Sequence, residues 1–218
     1  MKKTLILTCF VASAALIATP QAHALNAEAL SVLLPTTAAQ SVSTDSVSQG
    51  AEKFITGLTT EGISFLADAN LSDAKRKAAF KKLLNSKFDM NTIARFSLGR
   101  YWRSASKAQR DEYLKSFKKM IVDVYSQRFG DYQGQSIDVT GSRKEGERDV
   151  LVHSLLTQES GPDVKIDWRV RKRDGRYKVI DVMVEGVSMA VTQRSDFSSV
   201  IQRGGGNIEA LLEHLRSS

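Results

Sequence analysis

The chain has 218 residues, 31 basic against 24 acidic for a formal charge of +7, and 42% of it is hydrophobic. That is enough apolar material to build a packed core, which excludes a wholly disordered or low-complexity chain. The one cysteine, Cys9, lies in an N-terminal apolar run, so disulfides, thiolate metal sites and cysteine nucleophiles are excluded beyond that run.

Lys2 and Lys3 precede an apolar stretch from Leu5 to Ala18, and Ala22-His23-Ala24 offers small residues where a signal peptidase reads. The expectation is a leader over residues 1–24, cleaved before Leu25. The run is too short for a permanent anchor, and no other segment is apolar enough to span a bilayer. The mature chain is therefore expected to be soluble and exported. Lys2 and Lys3 leave with the leader and no acid does, so its charge is +5. A basic surface suits nucleic acid, anionic lipid head groups or an acidic protein partner, and export argues against nucleic acid.

Residues 25–45 are rich in Ala, Ser and Thr with little to bury, and read as a flexible tail before one domain over 46–218. Val47, Ala51, Phe54, Ile55, Leu58, Gly62, Phe65 and Leu66 then fall on one face of a 3.6-period helix. Ser72 can cap a second helix that turns Phe80, Leu83 and Leu84 inward. Asp89 can cap a third, with Phe88 and Ile93 placed as a hydrophobic staple and Gly99 as its stop. Ser106 and Gln109 form a capping box ahead of the longest helix, whose stripe runs Tyr113, Leu114, Phe117, Met120, Ile121, Val124, Tyr125 and Phe129.

At Gly130 the period changes from 3.6 to 2, and four strand-like runs follow, separated by turn residues that include the hairpin dipeptide Asp174-Gly175. Two short helices close the chain. Helices followed by a meander predict an α+β domain with a four-stranded antiparallel sheet.

A two-residue turn at Asp174-Gly175 predicts the pairs Val170 with Val179, Trp168 with Asp181 and Ile166 with Met183. On the other face Arg169 meets Ile180 and Asp167 meets Val182. In that register Asp181 accepts the Trp168 indole hydrogen bond. Ile180, Val182 and Val184 then form a second oily face that something must cover. Ile201, Leu211 and Leu212 of the last helices are the expected cover; long side chains laid flat, a second subunit or a bound apolar molecule remain open.

Groups that move protons are few. Beyond the leader only His153 and His214 remain, and no zinc-protease motif, nucleophile elbow or phosphate-binding loop is present. No catalytic residue, metal or cofactor is expected. An enzyme reading would rest on strand acids such as Asp138, Asp167 and Asp181 gathered in a cavity.

The segments "LGRYWRSASKAQRDEYLKSF", "RFGDYQG", "WRVRKRDGRYKVIDVMVEGVSM" and "QRSDFSSVIQRGGGNIEALLEHL" resemble, in order and spacing, the MlaC-type phospholipid-binding proteins, or toluene-tolerance family, from about Phe88 to Leu215. The resemblance implies an NTF2-like α+β fold whose curved sheet and helices enclose an apolar cavity. It implies a periplasmic carrier of phospholipid between an outer-membrane lipoprotein–porin complex and an inner-membrane ABC transporter complex. Carriage of another lipid, such as a hopanoid, and a cavity enzyme of the same shape stay open as alternatives. The residues it implies for the cavity are Tyr125, Phe129, Val150, Val152, Trp168, Val170, Val179 and Met183. Arg100, Arg128 and Arg194 are the ones it implies for the head group or for partner docking.

Overall fold

The computed structural model describes residues 38–217, with side chains from Ser46 onward. The leader expected over 1–24, and the expected tail as far as residue 37, lie outside the described residues. The first helix, α1 (Ala38–Ala67), begins within the stretch read as tail. Residues 38–46 carry no apolar stripe and so give no periodic signal, but no proline or glycine breaks them. A helix already packed from Val47 onward propagates back through such residues at little cost.

The next helices start where their caps place them. Ser72 Oγ accepts from the Lys75 amide at the head of α2 (Asp73–Lys87), and Asp89 accepts from the Thr92 amide at 3.0 Å at the head of α3 (Met90–Leu98). Gly99 ends α3 at φ +60°, where a side chain would be strained. One turn, α4 (Tyr101–Ser104), precedes α5 (Lys107–Ser126), and both halves of the Ser106/Gln109 capping box are formed, at 3.2 and 3.0 Å.

The sheet runs in sequence order: β1 (Ser136–Glu145), β2 (Asp149–Thr157), β3 (Val164–Arg173), β4 (Arg176–Val184) and a two-residue fifth strand, β5 (Val187–Ser188), all antiparallel. The fold is α+β as expected, with five strands rather than four because the β4 hairpin turns back once more at Glu185-Gly186. Then come α6 (Met189–Arg203) and α7 (Ile208–Ser217).

The β3/β4 hairpin turns at Asp174-Gly175, with φ +51° and +74°, and pairs Val170 with Val179. Beyond that pair the expected register is wrong by one residue. β4 carries a bulge at Ile180, so Arg169 meets Asp181, Trp168 meets Val182, Asp167 meets Met183 and Ile166 meets Val184. A one-residue offset exchanges the faces, so Val182 and Val184 join the Trp168 face and Met183 leaves it.

Two apolar clusters result. One is purely helical: Tyr113, Phe117 and Phe197 meet within about 6 Å among Leu98, Ile201, Leu211 and Leu212, and the Tyr113 hydroxyl donates to the Ala94 carbonyl at 2.8 Å. The other lies between α1, α2 and one face of β2 to β4. Ile201, Leu211 and Leu212 thus fill the helical cluster rather than cover a second sheet face. Phe80 and Phe88 pack against both clusters.

Candidate functional site

The inner sheet face is built by cross-strand pairing. Val150 opposes Val170, Val152 opposes Trp168, Val170 opposes Val179 and Trp168 opposes Val182, which gives three adjacent strands of branched and aromatic side chains. Val152, Val170 and Val179 are fully buried there. From α1 come Ala51, Ile55, Leu58 and Phe65, and from α2 comes Leu83.

One buried hydroxyl interrupts this wall, and it is internally satisfied. Ser154 Oγ donates to the Ile166 carbonyl at 2.8 Å and accepts from Trp168 Nε1 at 2.9 Å. The indole donor expected to meet Asp181 is therefore taken by Ser154, because the bulge carries Asp181 past it.

An aromatic chain leads from the wall towards the surface. Phe129 meets Phe65 at 6.2 Å and Phe80 at 5.3 Å, and Phe80 meets Tyr125 at 6.4 Å. Tyr125 is 43% exposed. Burial of its phenol raises its pKa, and the neighbouring Arg128 opposes the rise.

Of the residues put forward for the cavity, Phe129, Val150, Val152, Trp168, Val170 and Val179 fall in this one cluster, and Tyr125 reaches it through Phe80. Met183 does not: it opposes Asp167 on the other sheet face, through the same bulge. Val182, expected on the second face, belongs with Trp168 instead, and Phe65 and Phe80, read from the sequence only as inward-facing helix residues, join the same cluster. Ser154 was legible in principle, since it shares the parity of Val150 and Val152. Of the three arginines, only Arg128 lies beside the apolar site; Arg100 hydrogen-bonds to Tyr101 Oη and Arg194 stacks on Phe96, both at the helical cluster.

The opposite sheet face is charged. His153 Nδ1 lies 2.7 Å from Asp167, Arg171 makes two hydrogen bonds to Asp149 at 2.6 and 2.9 Å, and Arg143 and Arg169 share Glu145. Leu151, only 3% exposed, lies between Arg143 and Arg169 in the sheet, so long side chains laid flat cover this face.

The strand acids do not converge. Asp181 accepts from the Val182 amide, the Ser188 hydroxyl and the Ala190 amide, at 2.9, 2.6 and 3.1 Å; Asp167 is with His153; Asp138 is with Ser136. Among the described residues no cluster of histidine, cysteine, aspartate and glutamate could hold a metal ion. No helix among them is long and apolar enough to cross a membrane.

A family model described as "MlaC protein" matches residues 57–217. The chain belongs to the MlaC family. One MlaC relative, the intermembrane phospholipid transport system binding protein of Haemophilus influenzae, is 26% identical over 125 residues, covering 56% of this chain and 58% of its own length. A second, toluene tolerance protein ttg2D of Pseudomonas putida, is 22% identical over 167 residues, 73% of this chain and 76% of that protein. The MlaC-type fold is also that of a phospholipid-binding protein from Ralstonia solanacearum, solved in complex with a phospholipid. It aligns with a TM-score of 0.66 at 21% identity, over 77% of this chain and 95% of the other.

Proposed function

We propose that this chain is a soluble periplasmic lipid carrier, exported by a cleaved leader over 1–24, whose domain over 46–218 binds phospholipid acyl chains in a hydrophobic cavity. In this reading the sheet curves around the cavity in NTF2-like fashion, with Phe129, Val150, Val152, Trp168, Val170 and Val179 against the chains. Tyr125 and Arg128 stand at the mouth, near the head group. The carrier passes lipid between an outer-membrane lipoprotein–porin complex and an inner-membrane ABC transporter complex.

The observation that carries this reading is the continuous apolar face of β2 to β4, whose buried hydroxyl is already satisfied within the wall. α1 and α2 cover this face in the structure, so an acyl chain would take the place of their side chains against it, and it would meet no unpaired polar group to desolvate. Each methylene buried there is worth roughly 0.8 kcal/mol, enough over a long chain to hold lipid in aqueous transit. The bound phospholipid of the Ralstonia neighbour and the names of the two relatives support the same reading.

Organic extraction of natively purified protein, followed by mass spectrometry, tests it. The expected result is phospholipid in molar proportion to protein, reduced in a Phe129→Asp variant that keeps its circular dichroism spectrum. Protein purified without lipid, and unable to take it from vesicles, overturns the reading. A polycyclic lipid in the extract would reassign the cargo.

A further inference from the structure

A second surface stands apart from the apolar site. Around α3, α4 and the start of α6, arginines lie against aromatic rings: Arg95 and Arg110 on Trp102 at 5.1 and 5.4 Å, Arg100 on Tyr101 at 5.0 Å and Arg194 on Phe96 at 5.5 Å. Arg103 is exposed in the same helical turn as Trp102. None of these guanidiniums pairs with a carboxylate among the described residues, whereas Arg171 and Arg216 elsewhere do. The nearest acid along α6, Asp196, is two residues from Arg194 and so points to nearly the opposite side of the helix. Beside the arginines, Phe96, Val187 and Val191 are 44%, 40% and 54% exposed.

Arg110 donates to the Trp102 and Arg103 carbonyls and Arg100 to Tyr101 Oη, which holds those two guanidiniums in place; their remaining donors, with those of Arg95, Arg103 and Arg194, suit phosphate or carboxylate oxygens. We infer that this face docks on the surface of an anionic phospholipid bilayer. Its apolar side chains are single and spread over two helices and the short strand β5, which fits a lateral array of phosphates with a shallow apolar layer beneath. A protein partner would have to match that spacing group by group. The inference rests on the proposed function, since a carrier that serves protein complexes embedded in two membranes works at the surfaces of their bilayers.

The test is co-sedimentation, at low salt, of the mature protein with vesicles of equal parts phosphatidylcholine and phosphatidylglycerol, against pure phosphatidylcholine. Wild type is expected to bind the anionic vesicles only. Reversal of Arg100, Arg103 and Arg194 to Glu is expected to weaken binding at least roughly tenfold. Reversal of three exposed lysines elsewhere, Lys81, Lys82 and Lys115, changes the net charge equally and is expected to keep most of it. Both variants are checked by circular dichroism, and extracted lipid is measured in each. Equal loss in the two variants, or no wild-type binding, overturns the inference. Wild type that carries lipid but ignores vesicles, including one that engages only an acidic protein, overturns it and leaves the proposed function standing. Wild type without lipid tells against that function instead.

Discussion

At the scale of single residues, the hydroxyl of Ser154 is the most exacting group in the apolar wall, because two buried partners depend on it. Ser154→Ala removes the acceptor of Trp168 Nε1 and the donor to the Ile166 carbonyl, and is expected to cost about 1–3 kcal/mol in urea unfolding. Trp168→Phe on the alanine background is expected to cost less than on wild type, since the indole donor is by then already unpaired. A second residue-scale expectation concerns acid. Burial would raise the pKa of Asp89, but hydrogen bonds from the Thr92 hydroxyl and amide, with Lys178 and Arg173 nearby, outweigh it and hold the carboxyl below its ordinary value. A depressed folded pKa contributes stability above the unfolded value, and that contribution is lost as pH falls through the folded one. The stability gap between wild type and Asp89→Asn should therefore close below about pH 4, as followed by thermal melts across pH. Asp89 was legible as a cap because capping is local; the Ser154 bond spans two strands and depends on their register.

Among elements, the joint between β4 and α6 decides how the wall is presented. The Ile180 bulge displaces Asp181 by one place, and its carboxylate takes the Ser188 hydroxyl and the Ala190 amide at the head of α6. Without the extra residue Asp181 would face Trp168 inside the apolar cluster. Asp181→Asn keeps the size but turns an amide donor towards groups that also donate, so it is expected to destabilise by about 1–3 kcal/mol. Hydrogen exchange should show that loss first in the β5 turn and the first turn of α6. The helices were readable because Ser72, Asp89, Ser106 and Gly99 announce their own ends. The bulge was not, since it answers to a contact nine residues further along the chain. The single turn α4 and the two-residue β5 are too short for any period to develop.

At the scale of the whole molecule, the expected α+β order of helices before a meander is what forms, and most of the wall was named in advance. What could not be read from one chain was that the apolar residues divide into two clusters, since periodicity marks an inward side but not which neighbour it meets. The helical cluster closes on itself through Tyr113, Phe117 and Phe197, whereas the sheet-side cluster is the one read as sharing its surface with cargo. Delipidated protein is therefore expected to lose amide protection in α1 and β3 while α5 and α7 exchange as slowly as before, measured by mass spectrometry. Uniform loosening of all four elements would contradict that division. Phe80 and Phe88, which touch both clusters, mark where the loosening should stop. On the proposed function, an emptied carrier would then keep a folded remnant on which the rest can re-form around new cargo, so each delivery would cost local order and spare the chain a complete refolding.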